Sequence, residues 1–231
     1  MDNEKSEHES ITKGKEMGQK AYDEAKVAGQ KAYDEAKVAT GQAISALKTL
    51  ISDPIGGQFE ALKNLGHSNA LRAGIVLVVA FSVSCFLLGH TFASGLIQMA
   101  EMMGGSGGKI AELYFGLFIL SVIPSISIFA CFYLIMNRAS KEKVEISTCV
   151  FTTGVTTIPL TVLFLSGKIF GLNSFVLMAV IGIFCISTTF LLINSALQDV
   201  YKLSTQKSVL ITPGLVLVSS VISYIIVKAL M

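Results

Sequence analysis

The sequence predicts an all-α, polytopic helical membrane protein. It has about five transmembrane helices behind a polar N-terminal tail that is helical or partly disordered. Three observations lead there. Hydrophobic residues make up 52% of the 231 positions and charged ones only 15%, and a mean hydropathy of +0.65 is too high for an ordinary soluble domain. Charge is concentrated at one end: residues 1–70 hold 9 Lys and 11 Asp/Glu, residues 71–231 only 9 Lys/Arg and 5 Asp/Glu. Five apolar runs also approach the length of about 20 helical residues that crosses a hydrocarbon core.

Those runs are Leu71 to Gly89, Ile110 to Met136, Ile146 to Leu165, Phe175 to Ala196, and Val209 to the C-terminus. Within a bilayer the backbone must satisfy its own hydrogen bonds, so each run is expected to be a helix. Pro124, Pro159 and Pro213 lie inside runs two, three and five, where the missing backbone donor should kink them. The stretch between runs one and two, His90 to Gly108, is ambiguous. TFASGLIQMAEMM either extends the first helix or lies at the interface, and GGSGG is a turn. It is not counted as a sixth span.

The loops set the orientation. Arg138, Lys141 and Lys143 follow span two, and Lys202 and Lys207 follow span four, whereas the alternate loops carry Lys109 and Lys168 alone. By the positive-inside rule the tail faces the cytoplasm and the C-terminus faces out, in the inner membrane if the cell is bacterial. The first 43 residues hold no continuous apolar stretch of signal-peptide type, so insertion is expected to use the internal runs.

The tail, residues 1–49, contains an eleven-residue unit written twice without change, GQKAYDEAKVAGQKAYDEAKVA, Gly18 to Ala39. Eleven residues at 3.6 per turn overshoot three turns by about 20°, so equivalent positions stack on one face. Ala21, Ala25, Ala28, Ala32, Ala36 and Ala39 form that face, and Lys20 with Glu24 and Lys31 with Glu35 are i,i+4 pairs that support an exposed helix. Val27 and Val38 fall on the polar side. The rod therefore has a thin apolar stripe, extended by Ala43, Ile44, Leu47 and Ile51. A solvated helix, a helix lying on the lipid surface through its lysines, and a helix pairing with a protein partner or its own copy all fit this pattern.

Residues 50–70 lead into the first span. Pro54 should stop the preceding helix, Gly56 and Gly57 allow a turn, and Phe59, Leu62 and Leu65 follow at i, i+3, i+6, as an interfacial helix on the cytoplasmic membrane face would place them. The five-span domain then occupies residues 71–231.

Polar groups inside the spans are the candidate site residues. Glu112 lies near the start of span two, where a proton or cation role competes with simple solvation at a helix N-terminus. Span three carries Thr153, Thr156 and Thr157 on one face by their i, i+3, i+4 spacing, with Gly154 between them. Small hydroxylated residues let helices approach and hydrogen-bond; a solute path lined by these hydroxyls is the alternative reading.

No catalytic, cofactor-binding or metal-binding pattern is found: GxSxG, HExxH and a Walker loop are absent, and His8, His67 and His90 have no ligand constellation. Cys85, Cys131, Cys149 and Cys185 are scattered through apolar runs, as small helix residues rather than a disulfide or zinc framework. No basic stripe interleaved with aromatics suggests nucleic acid.

The stretch LISDPIGGQFEALKNLGHSNALRAGIVLVV, Leu50 to Val79, resembles the segment that precedes the membrane domain of the Yip (Ypt-interacting protein) family in its bacterial members. The eukaryotic branch has a DLYGP-like signature where this chain has DPIGG. The resemblance covers about Leu50 to Met231 and implies a cytosolic polar N-terminus, about five spans and no transferable site. Together these readings give the expected function: a non-enzymatic integral membrane protein, in contact with the lipid bilayer, that organises membrane or partner proteins through its tail. An oligomer is compatible with this. The alternative is a small-solute or ion transporter or channel using the threonine-rich third span.

Overall fold

Long apolar runs without strand-like alternation leave the helix as the way to pair the backbone, and in the computed structural model no strand occurs among the described residues. Residues 2–53, 56–102, 110–139, 144–171 and 174–230 are described, with side chains omitted at 2–18, 96, 99–101, 110–115 and 230. The elements are α1 Asp2–Ser52, α2 Gly57–Met102, α3 Ile110–Ala139, α4 Ile146–Thr156, α5 Ile158–Phe170, α6 Phe175–Ser195 and α7 Thr205–Leu230; a π-turn, Ala196–Val200, ends α6. The fold is all-α and polytopic. Among the described residues, five candidate spans are long and apolar enough to cross a membrane: Gly57–Gly95, Gly116–Ala139, Ile146–Phe170, Phe175–Val200 and Thr205–Ala229.

Residues Met1–Gly41 and Gln42–Met231 form two compact units. In the first, the repeat is helical and every residue from Gln19 to Val38 is exposed. Gln30 Nε2 donates to Asp34 Oδ1 at 3.3 Å, an i,i+4 bond along the polar side.

In the second unit, the end of α1 buries Ala43, Ala46 and Leu50, while Ile44 is 49% and Ile51 78% exposed. The buried stripe thus runs through the small residues rather than through the isoleucines that hydropathy favours. Small side chains let the backbone of α1 come close: a Cβ on Gly57 would lie 2.9 Å from the Thr49 carbonyl oxygen. Asp53 organises the junction, its Oδ1 accepting from the Gly56 N–H at 2.9 Å and its carbonyl from the Gly57 N–H at 2.9 Å. Pro54 lies outside the described residues.

α2 is two helices joined at Gly66, whose φ of 69° and ψ of 169° suit only glycine. The first piece buries Gln58 and Ala61, with Leu62 and Leu65 partly buried against the same core and Phe59 41% exposed. The second piece continues past the expected end of span one to Met102, so the residues from Thr91 to Met102 extend the first helix. The GGSGG segment lies outside the described residues.

α4 and α5 are the two halves of span three, and both pack on α2. α3 packs on α2 and α7, and α5 packs on α6. One core joins Ala43, Ala46 and Leu50 to Ala70, Ala73 and Leu77 of α2 and Phe151 and Val155 of α4. A second joins Phe132 and Met136 of α3, Cys149 of α4, Ile193 of α6, Leu197 in the π-turn, Tyr201, and Leu215 of α7. The outward faces of α6 and α7 carry exposed Val180, Ile183, Phe184, Leu210, Leu217 and Ile225. Such continuous apolar surface suits a hydrocarbon solvent.

Candidate functional site

The site is built where span three breaks. Pro159 has no N–H, so the Val155 carbonyl cannot take its usual i+4 bond, and the chain bends between Thr156 and Ile158 with Thr157 as the joint. Threonine hydroxyls back-bond across the joint: Thr156 Oγ1 donates to the Thr153 carbonyl at 3.0 Å and Thr157 Oγ1 to the Gly154 carbonyl at 2.9 Å. Pro124 and Pro213, by contrast, sit inside helices that continue through them.

Beside this break lies a cavity of about 350 Å³. Phe81 of α2, Pro124 and Ile128 of α3, and Leu160 and Phe164 of α5 form much of its apolar wall. Its polar lining is Thr156, Thr157, Thr189 of α6, and Ser219, Ser220 and Ser223 of α7. Among the described residues, none that lines it is ionisable. Every lining group sits near the middle of its span, so all five candidate spans contribute to one central chamber. Phe81 and Phe164 stack with centroids 5.6 Å apart and hold α2 against α5 at its wall. Ile186 of α6 and Ser220 of α7 line the chamber and are also exposed, which places its mouth on the outer side between those helices.

Two of the three expected threonines, Thr156 and Thr157, line the chamber. Thr153 is fully buried and does not line the chamber, and its Oγ1 has no hydrogen-bond partner among the described residues. Of Glu112 only the backbone is described. Thr189 and the serines of α7 carry no sequence signal of their own; only the rotation of α6 and α7 in the bundle turns them inward.

The end of the bundle that holds the π-turn is tied together by polar contacts. Gln58 Nε2 donates to the Leu192 carbonyl at 2.8 Å, joining the short first piece of α2 to α6. Lys202, in the left-handed region at φ 55°, places its ammonium 4.2 Å from the centre of the Phe59 ring. Tyr201 Oη lies 3.4 Å from Thr152 Oγ1 and 3.5 Å from Cys149 Sγ, and its single proton serves one of them at a time. Burial, first, and then the neighbouring Cys149 push this phenol well above the ordinary tyrosine value, so it remains a donor. His67 and Glu145 pair across α2 and α4, both largely exposed, so that contact contributes little. No group of His, Cys, Asp or Glu able to hold a metal is found among the described residues.

The chain matches no protein-family model, no curated protein and no solved structure.

Proposed function

We propose that the five-span domain is a non-catalytic binding module for a small molecule that reaches it from the bilayer, as the binding stage of a carrier. The observation that supports this most is the central chamber. Its volume, its mainly apolar wall and its few convergent polar groups fit the general character of small-ligand sites. Its position at mid-span beside a broken helix also suits a membrane carrier. The test is native mass spectrometry of the protein released from nanodiscs. The expected result is a bound small molecule on the wild type that is lost on Ser220→Phe, a change at the exposed rim. A wild type that carries nothing, and takes up nothing from added lipid extract, counts against the reading.

A second reading has its own support. The helix from Gln19 to Val38 is exposed on every side, which suits an arm that recruits a membrane or a protein partner. The resemblance of Leu50 to Val79 to the Yip family and the loop charges favour placing this arm in the cytoplasm. Crosslinking in native membranes, with and without Met1 to Ala39, separates the two readings. A stoichiometric partner lost on truncation supports the arm, and unchanged capture leaves the chamber.

A further inference from the structure

The six hydroxyls of the chamber share a feature that composition alone does not show. Each spends its only proton on a carbonyl of its own chain. Thr156 donates to Thr153, Thr157 to Gly154, Thr189 to Cys185, Ser219 and Ser220 both to Val216, and Ser223 to Ser219, all at 2.8–3.0 Å. A hydroxyl has one proton and two lone pairs, so what remains to face a ligand is lone pairs. The chamber is therefore polar in one sense: it accepts hydrogen bonds, and turning a proton toward a ligand means breaking a bond to the backbone.

From this we infer that the chamber selects an uncharged, largely apolar molecule that carries a hydrogen-bond donor. The inference rests on the binding reading above and adds its chemical class. Charge is disfavoured because no described side chain of the lining is ionisable and an unpaired ion in such a place is costly. A donor is favoured because hydroxyl-bearing residues of α4, α6 and α7, together with the Thr157 joint, line the same space, and the small polar share of its wall offers acceptors whose protons are already bound. A ligand of the same shape that offers only acceptors meets oxygen with oxygen and leaves its own polar atom unpaired. Entry between α6 and α7, past Ile186 and Ser220, suits a molecule that already partitions into lipid.

Carbazole and dibenzofuran provide the test. The two are nearly isosteric, flat and apolar, and differ in an N–H donor against an oxygen acceptor. Binding of each to the full-length protein in nanodiscs is measured by fluorescence, with empty nanodiscs subtracted. The expected result is carbazole binding about tenfold tighter, the worth of one sheltered hydrogen bond. The preference should fall at least about threefold in the Thr189→Val, Ser219→Ala double variant, which removes two of the six acceptors, with dibenzofuran binding retained. Ser220→Phe should abolish both. Should the double variant not fold, Ser220→Ala at the exposed rim should still lower the preference about threefold.

Equal binding of the two probes, or tighter dibenzofuran, overturns the donor class and leaves the chamber a binding site. Binding of both that Ser220→Phe does not touch lies elsewhere on the protein and overturns the inference. Binding of neither overturns it together with the reading on which it rests.

Discussion

Gly74 and Gly154 meet backbone to backbone where α2 crosses α4. A Cβ on Gly154 would lie 2.8 Å from the Gly74 carbonyl oxygen, and one on Gly74 would lie 2.7 Å from the Phe151 backbone. Ala70, Ala73 and Leu77 seal the crossing on one side, Phe151 and Val155 on the other. Where both solvents are apolar, burial drives association weakly, and close packing of small residues becomes the main attraction.

Alanine at either glycine should therefore destabilise the bundle, although alanine is the better helix former by about 1 kcal/mol. The colliding atoms are backbone and cannot swing away, so a net loss of about 1–3 kcal/mol is expected. A lower Tm in detergent for Gly74→Ala and Gly154→Ala checks this. Gly29→Ala is the matched control, since nothing lies within 4 Å of a Cβ there. It should raise helical circular dichroism and cost no stability.

Tyr201→Phe keeps the ring that stacks on Phe132 at 6.3 Å and removes only the hydroxyl. The loss expected is about 1 kcal/mol, one buried hydrogen bond. The raised pKa gives a pH signature in the wild type. The neutral phenol's contribution is fully present below the ordinary tyrosine range. It declines as pH rises past that value, because the unfolded chain ionises first, and is gone above the raised native value. The alkaline fall in Tm should therefore be shallower in Tyr201→Phe than in the wild type.

Lys202 combines two opposed effects. Its left-handed backbone costs about 1 kcal/mol relative to glycine, and its ammonium over Phe59 returns about 0.5–1 kcal/mol. Lys202→Gly alone should change stability little. In a Phe59→Leu background, where the ring is gone, the same substitution should stabilise. A double-mutant cycle reads the coupling, and strict additivity would show the ring contact to be worth nothing.

Removal of residues 1–38 should leave the Tm of the remaining chain within a degree or so, because residues 19–38 bury nothing of their own. Extending the deletion through Leu50 should lower it clearly, since Ala43, Ala46 and Leu50 belong to the core.

What was legible in the sequence follows from the kind of quantity each feature depends on. Spans are set by hydropathy summed over many residues, so the five runs, the exposed repeat and the Pro159 break could all be read locally. The faces could not. Ile44 and Ile51 are more apolar than Ala43 and Ala46 yet are exposed, because the contact selects small residues for close approach. The chamber was half visible: Thr156 and Thr157 share a threonine-rich face, but Thr189 and Ser219 join them only through the rotation of α6 and α7. Gln58 was hidden too. Its partner is a main-chain carbonyl 134 positions away, which leaves no mark on side-chain patterning.

The π-turn at Ala196–Val200 accommodates about one residue more than an α-helix would over the same rise. In an α-helix each residue advances the chain by about 100°. The extra residue of the turn is taken up in place rather than passed on as that rotation, so Tyr201 and Leu203 keep their seats in the second core. Deleting a single residue there should leave an ordinary α-helical turn with the same onward register. Related chains are therefore expected to differ by one residue within this turn more readily than within α6.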